Sequence, residues 1–556
     1  MSYLNLKIKE VFEQIKADKN LQGEIIIEKP RDEKNGNFST NFGLINAKKN
    51  NKVPMDFANE LKEELTKYSD IFSQISVAKP GFINMNISNE NIKSIISEIL
   101  TKKAQYGMWP KNNFKYNLEL VSANPTGYLH VGHARNGAIG DSTARILRAA
   151  GYEVETEYYT NDAGNQINVA ASTLFYHYKG LQNDYQLETP TEMYGGDMYA
   201  EVAKNLVDEF GDKYMNLEII DNKISDPQVH EIFKQKSISL FMKEIKQQLK
   251  DFGVDIQLFT SEASVYANHD IEKMLELYKS HDKVYELEDA LWLKTTEFGD
   301  DKDRVLVKAN GDYTYITPDI ACHNVRFNRS KANKYVNFWG GDHHGYIKRI
   351  NAGLALLGHE EGLLDIDMIQ MVRLIKDGAE MKMSKRRGTA VWLIDLLEMV
   401  GKDSLRYFLL SKAPSSHMDF DIDVALQKNS TNPIYYINYA TARCNNVLKK
   451  AKDNNIKIDS TIASDLLVNE KELNLAVILD SFDLTIKAAA EHRLPNIICD
   501  FTYNLAKKFH SYYAEVKIID EDNLELSKQR IAFVEAIYIV LSNALELLGI
   551  DVVNNM

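Results

Sequence analysis

Glu119-Leu-Val-Ser-Ala-Asn124-Pro125-Thr126-Gly127-Tyr-Leu-His130-Val131-Gly132-His133 is the stretch on which the fold turns. Just before and at its start, Leu118, Leu120 and Val121 form a short apolar strand. After it, helical periodicity runs from about His133 to Ala150, with Gly151 in the C′ place. A further strand, Val154 to Tyr159, completes a strand-loop-helix-strand unit of the kind that builds parallel sheets. The backbone N–H groups and dipole at the start of such a helix favour an anion. His130 and His133, at i and i+3, can add donors to phosphate oxygens, and Gly132 between them lets a flat nucleotide approach the backbone. Alone, H-x-G-H is as readily an ordinary turn with surface histidines.

A second unit follows: a strand Tyr335 to Trp339, a loop at Gly340-Gly341, a helix to Leu357, and a strand Met368 to Ile375. It leads into Lys376-Asp377-Gly378-Ala379-Glu380-Met381-Lys382-Met383-Ser384-Lys385-Arg386-Arg387-Gly388-Thr389. Glycines bound this basic stretch, and its cations can close on a triphosphate whose charge grows during transfer. Taken singly, a charge run is ordinarily a solvated loop. Each segment follows a strand of a different half of one α/β core, and that order raises both readings.

Residues 1 to about 110 read as a small α/β unit: a helix from Leu4 to Ile15, a strand Glu24 to Glu28, a turn at Asn35 to Asn37, a second helix through Leu61 and a closing strand Phe82 to Ile87. Residues 161 to 330 carry charged helical segments such as Ile232 to Phe252 and strand-like pieces from Ala290 to Tyr315, read as insertions and connections. Beyond Asp423 nearly everything has helical periodicity, which predicts a helix bundle. There Asn432 caps a helix with Pro433 at its first position, and Tyr435, Tyr439 and Arg443 recur on one face. Aromatic rings beside a guanidinium suit stacking on unpaired bases, although such a stripe is more often core.

Composition narrows the class. The 28 glycines and 11 prolines among 556 residues are too few for a fibrous or disordered chain. Cys322, Cys444 and Cys499 form no C-x-x-C pair, so neither a disulfide framework nor a cysteine-rich metal site is supported. Met1 to Lys19 has no apolar run of signal-peptide type. The longest apolar stretch, Ile531 to Ile550, places Ile531, Val534, Ile537, Leu541, Leu545 and Leu548 at the spacing of a buried helix rather than a membrane span. A cytoplasmic protein with no membrane partner is expected. A net charge of −13 excludes blanket electrostatic binding of nucleic acid, so an RNA site has to be local.

With these motifs, H-V-G-H and K-M-S-K-R resemble the HIGH and KMSKS signatures of class I aminoacyl-tRNA synthetases. The match narrows to arginyl-tRNA synthetases, of the bacterial type, through Ala123 to His133, Gly311 to Ala321, Gly340 to Tyr346, Asn432 to Arg443 and the terminal Leu547 to Met556. It also takes in Arg31 to Phe42 and Gly81 to Ile87. The fold implied is a Rossmann-type parallel-sheet catalytic core with an N-terminal α/β appended domain and a C-terminal all-helical bundle. The domains expected are residues 1–112, meeting the tRNA elbow; 113–375, catalytic, with insertions at about 165–260 and 265–330; 376–423, the KMSKS loop and connection; and 424–556, for the anticodon.

The resemblance implies ATP-dependent activation of L-arginine to arginyl-adenylate, then transfer to the terminal 2′-hydroxyl of tRNA(Arg), with tRNA bound before activation. His130, His133, Lys382 and Lys385 would be catalytic. The nucleotide would lie along Ala123, Asn124, Pro125, Thr126, Gly127, Tyr128, Leu129, His130, Val131, Gly132, His133, Met383 and Ser384. Glu262 and Asp319 would hold the guanidinium with a hydroxyl from Tyr315, while Glu119, Asn124 and His343 line the α-amino side. Tyr435, Tyr439 and Arg443 would meet tRNA. ATP brings Mg²⁺, no structural metal is expected, and a monomer is implied. Two positions depart from the family pattern: His343 stands where many relatives have Gln, and Arg386 replaces the last Ser of KMSKS.

Three other readings are weaker. Another class I synthetase would carry a cysteine-rich zinc site, an editing domain or a cationic pocket. A small-molecule adenylate-forming ligase of the pantothenate synthetase kind has no use for the helical C-terminal region. A non-catalytic tRNA-binding relative has no need of His130, His133 and Lys385.

Overall fold

The computed structural model describes the chain apart from residues 1, 31, 182–188, 191, 342–344, 382–390 and 457–465, and the side chain of residue 33. It divides into two compact units, Lys111–Leu426 and Met1–Pro110 with Gln427–Met556.

The first unit is built on five parallel strands: β1 (Lys115–Glu119), β2 (Glu153–Thr160), β3 (Leu258–Ser261), β4 (Lys334–Gly340) and β5 (Leu364–Ile369), in the order β5-β4-β1-β2-β3. The chain winds outwards from β1 in both directions. Doubly wound sheets of this kind hold ligands above the carboxyl ends of the strands where the winding reverses, here β1 and β4. β3 falls within the span read as an insertion, yet it pairs with β2 as the edge of the core sheet. Its four residues are too short and too polar to stand out as a strand.

The expected strand Met368 to Ile375 is two strands. β5 ends at Ile369, and β6 (Val372–Lys376) leaves to pair with β7 (Met418–Asp421). The break is fixed by hydrogen bonds that turn Gln370 aside: its N–H donates to Pro414 O, and its carbonyl accepts from Arg135 Nη1 at 2.6 Å.

The two faces of β1 differ. Leu118, and Leu120 just past the strand, are fully buried, and α1 (Val131–Ala149) packs on that side. Close packing there requires Gly140, where a Cβ would lie 2.2 Å from Leu120 Cδ2. On the other face Asn117 and Glu119 of β1 stand in register with Glu155 and Glu157 of β2, and Asn337 of β4 stands beside Glu119. Buried carboxylates require cations. α2 (Ile316–Ser330) supplies Arg326, and just before its end Arg329.

α1 itself is buried almost all round and carries two fully buried charges. Asp141 bonds Arg406 of α3 (Lys402–Leu410) at 2.6 Å and Arg145 at 2.8 Å, while Arg406 also donates to the carbonyls of Phe252 and Gly253. Arg135 donates to three carbonyls, those of Gln370, Ala413 and Ser416. Burial lowers its pKa to about 10, so it stays charged at neutral pH.

The second unit holds the helix Tyr3–Lys19, an antiparallel sheet of Phe38–Thr40, Phe82–Ile87 and Phe72–Ala78 and, among the described residues, five C-terminal helices, of which Glu470–Asp480 meets the first helix. Glu24 to Glu28, expected as a strand, touches the sheet only where Glu28 pairs with Ser39; Glu24 O is taken by the Asn46 side chain instead. The first helix is capped from the far end of the chain. Asp480 accepts from the Ser2 hydroxyl and from the Tyr3 and Leu4 amides. The six residues placed on one buried stripe of the last helix are all fully buried in Leu524–Leu547 or at its C-cap.

Removing one member of a buried ion pair costs about 3–5 kcal/mol because it strands the other charge. Arg406→Met is therefore expected to lower the unfolding free energy by about that amount. Adding Asp141→Leu should return part of the loss, and chemical denaturation of the three proteins measures both.

Candidate active site

A cavity of about 860 Å³ opens above the carboxyl ends of β1, β2 and β4. One wall is the start of α1. His130 is its N-cap: His130 Nδ1 accepts from the Gly132 and His133 amides at 3.0 and 3.4 Å, and His133 Nδ1 accepts from the His130 amide at 3.3 Å. The rings stack with centroids 3.7 Å apart. A nitrogen that accepts a backbone N–H carries no proton, so each neutral imidazole has its hydrogen on Nε2, free to donate to a ligand at the helix start. Burial lowers both pKa values, that of His133 to about 3 with help from His130. The pair is thus neutral near pH 7.

The opposite wall is acidic. Asp319, at the start of α2, accepts from the Tyr346 hydroxyl. Glu262 begins the short helix Glu262–Ala267, which Asp162 caps through Ser261 Oγ at 2.7 Å and the Ala263 amide at 2.8 Å. Glu262 Oε2 is buried with no partner. Burial, then the charges of Asp319 and Asp162, push its carboxyl up to about 7. A carboxylate held this way is a place made for a cation. Tyr159 and Cys322, whose Oη and Sγ lie 2.9 Å apart, complete the wall, and burial raises both above their usual ranges.

The floor is a bound guanidinium. Arg326 donates to Asn117 Oδ1 at 2.7 Å, Asn337 Oδ1 at 2.6 Å and Glu119 Oε2 at 2.9 Å, while Arg329 pairs with Glu157. Two carboxylates of the cavity are thereby matched by cations of the protein itself.

Three family models cover the chain in succession: the arginyl tRNA synthetase N terminal domain at residues 2–87, the class I (R) tRNA synthetase catalytic domain at 95–447, and the DALR anticodon binding domain at 437–556. An arginine–tRNA ligase of Mesoplasma florum is 48% identical over 99% of both chains. The chain belongs to the arginyl-tRNA synthetases. One from Bacillus subtilis is 38% identical over 96% of this chain and 94% of its own. The solved arginyl-tRNA synthetase of Thermus thermophilus shares the fold with a TM-score of 0.75 at 21% identity, over 99% of each chain.

The residues that the family resemblance singles out are distributed unevenly. His130, Val131, Gly132, His133, Glu119 and Asp319 line the cavity, and Glu262 lies beside its Ser261 and Ser264 wall. Ala123 to Leu129 do not line it. Tyr128 bonds Glu201, the Leu129 amide is held by Gln248 Oε1 and Thr126 O accepts from Tyr199, so this stretch is pinned to helices of the insertion. Asn124 bonds Gln166 at 2.7 Å in solvent, and Tyr315 is 92% exposed, away from the cavity. Lys382, Met383, Ser384, Lys385 and His343 lie outside the described residues.

In the other unit, Arg443 stacks between the rings of Tyr439 and Tyr513 and bonds His510, whereas Tyr435 is half-buried nearby in sequence. Sequence reading missed Arg326, Cys322, Tyr159, Tyr346 and Asp162. A signal existed for two of them: Asp319, Cys322 and Arg326 recur at i, i+3 and i+7, a polar stripe along α2.

The tautomer assignment is open to direct measurement. The His133 ring signal should not titrate between about pH 8 and pH 5, and ¹⁵N shifts should report Nε2–H for both rings. Ordinary titration near pH 6.5 at His133 would contradict the geometry.

Proposed function

We infer that the protein ligates L-arginine to tRNA(Arg) in two steps. The arginine carboxylate attacks the α-phosphorus of ATP in line, its bond forming as the bond to pyrophosphate breaks. The 2′-hydroxyl of the terminal adenosine then attacks the arginyl-adenylate carbonyl and AMP leaves. The observation that carries this reading is one cavity that has a helix N-terminus bearing two Nε2–H donors on one side and, on the other, Asp319 in its lining with a buried, unpartnered carboxylate oxygen of Glu262 beside it. The first suits phosphates and the second a guanidinium.

Neither step uses a protein nucleophile; positioning and charge complementarity do the work. His130 and His133 donate to the phosphates, and Gly132 underlies the adenosine, where a Cβ would lie 2.9 Å from His130 Cε1. Glu262 and Asp319 hold the guanidinium. Glu119 faces the α-amino group while its other demand is met by Arg326. Lys382 and Lys385 belong to the same reading by family resemblance, as do Asn124, Tyr315 and His343. Tyr315 would have to turn inward to take part.

Among the described residues no group of three His, Cys, Asp or Glu side chains is arranged to hold a metal. Mg²⁺ would come with the nucleotide, carried on its phosphates, as the family resemblance implies. Tyr439 and Arg443, with Tyr435, offer the stacking surface for tRNA. tRNA binding precedes activation, the protein acts as a monomer, and it works in the cytoplasm. No helix of the described residues is long and apolar enough to cross a membrane.

Two measurements test the reading. ATP–pyrophosphate exchange should appear with arginine alone among the standard amino acids, and only with tRNA present; exchange with another amino acid would refute the pocket assignment. Arginine affinity should also depend on pH. Glu262, raised to about 7, is neutral in the empty site below that pH, and the guanidinium needs it charged. Affinity is therefore full above about pH 8 and weakens as pH falls through 7, approaching tenfold per unit well below it. Calorimetry should record proton release on binding near pH 7, and Glu262→Gln should abolish that release along with most of the affinity.

A further inference from the structure

Val121 is the only β-branched residue with left-handed backbone among the described residues, at φ 67°, and Ser122 follows at φ 44°. The Ser122 amide donates to Leu120 O at 2.8 Å, so the chain leaves β1 through a three-residue turn centred on Val121, of the strained hand. Left-handed backbone is costly for a β-branched side chain and persists only where surroundings impose it. What imposes it here is one side chain. Asn136 Oδ1 accepts the Val121 amide at 2.8 Å, and Asn136 Nδ2 donates to Phe338 O at 2.7 Å. An N–H on one side and a carbonyl on the other leave only one orientation for the amide. Gly137 makes room for the turn: a Cβ there would lie 3.3 Å from Val121 Cγ2.

Asn136 sits on α1 at the i+3 position from His133, so the two share one face. Val121 and Phe338 stand at the carboxyl ends of β1 and β4, the two strands that flank the crevice where the winding reverses. We propose that Asn136 is a positioning residue: by clamping Val121 to Phe338 it sets the crevice width and holds the loop that delivers His130 in its strained path. The proposal rests on the reading of the cavity as the site of adenylate formation. Asn136 itself need touch neither substrate.

Glycine adopts the φ of Val121 without penalty, which separates a positioning role from simple packing. Asn136→Ala is expected to lower kcat for arginine-dependent exchange by roughly tenfold or more at a temperature where the protein remains folded, with KM for arginine little changed. Adding Val121→Gly should recover at least about threefold, because the turn no longer needs to be forced. Asn136→Asp keeps the acceptor for Val121 but sets a carboxylate against Phe338 O, and should fall between wild type and Asn136→Ala. Hydrogen exchange of the peptide spanning residues 119–125 gives a readout independent of turnover, with the protection of the Val121 amide lost in Asn136→Ala. Undiminished kcat in Asn136→Ala, or no recovery in the double variant, would overturn the proposal. Absence of arginine-dependent exchange in wild type would instead refute the cavity reading and leave the clamp to be judged by hydrogen exchange.

Discussion

The structure around the cavity depends on placing one guanidinium, that of Arg326, under the middle of a parallel sheet. Parallel sheets are normally apolar on both faces, yet here Asn117, Glu119, Glu155, Glu157 and Asn337 share one face. Left unpaired, that row would be prohibitive. Arg326 hydrogen-bonds three of the five and lies 3.5 Å from the fourth, Glu157, which Arg329 also pairs. A donor chain then runs on from Arg326: Asn337 Nδ2 to His323 Nε2 at 2.9 Å, and His323 Nδ1 to Asp319 O at 2.8 Å. The backbone that carries Asp319 is thereby indexed to the sheet through side chains with no freedom to relax.

This arrangement divides the acids of the cavity into two classes. Glu119 and Glu157 are satisfied by protein cations. Glu262 sits in a wall whose desolvation opposes its charge, and its Oε2 has no partner. A cationic ligand therefore finds one favourable end of the cavity. The other end is supplied by a helix start with two neutral imidazoles, which attracts anions through dipoles rather than net charge. Arginine and a nucleotide triphosphate, the substrates inferred above, present those two signs.

The parallel core, the helix after Gly132, the closing strand Phe82 to Ile87 and the buried last helix were legible because each carries a local period or a punctuating residue. The break at Gln370 was not, because it is made by Arg135 and Pro414 from distant parts of the chain. β3 was hidden for a similar reason: only pairing with β2 makes Leu258–Ser261 a strand. Of the site, the histidines were legible as a motif, while their protonation was not, since it follows from a capping geometry that no spacing reveals. Tyr315 is the instructive case. Its place in the motif points to the guanidinium, but as the N-cap residue of α2 it projects into solvent while Asp319, one turn on, faces the cavity.

The loop that leads into His130 is tied through backbone to the residues that follow the basic stretch. Leu393 N–H donates to Leu129 O at 2.6 Å, and Trp392 forms an antiparallel bridge with His130. Trp392 also meets the Tyr128 ring edge-on and is fixed by Asp395, which accepts its amide. On the opposite side, Gln248 holds the Leu129 amide. The residue before His130 is thus gripped from both directions, by the segment that follows the basic stretch and by a helix of the insertion. A shift of either grip reaches the imidazole through the backbone of Leu129 and His130. Because His130 Nδ1 is committed to two amides of α1, that shift would be expressed as a movement of the ring pair together with the helix start, rather than as a free rotation of one side chain. The position of the two Nε2–H donors in this cavity is therefore set by the backbone, and the insertion helices share in setting it.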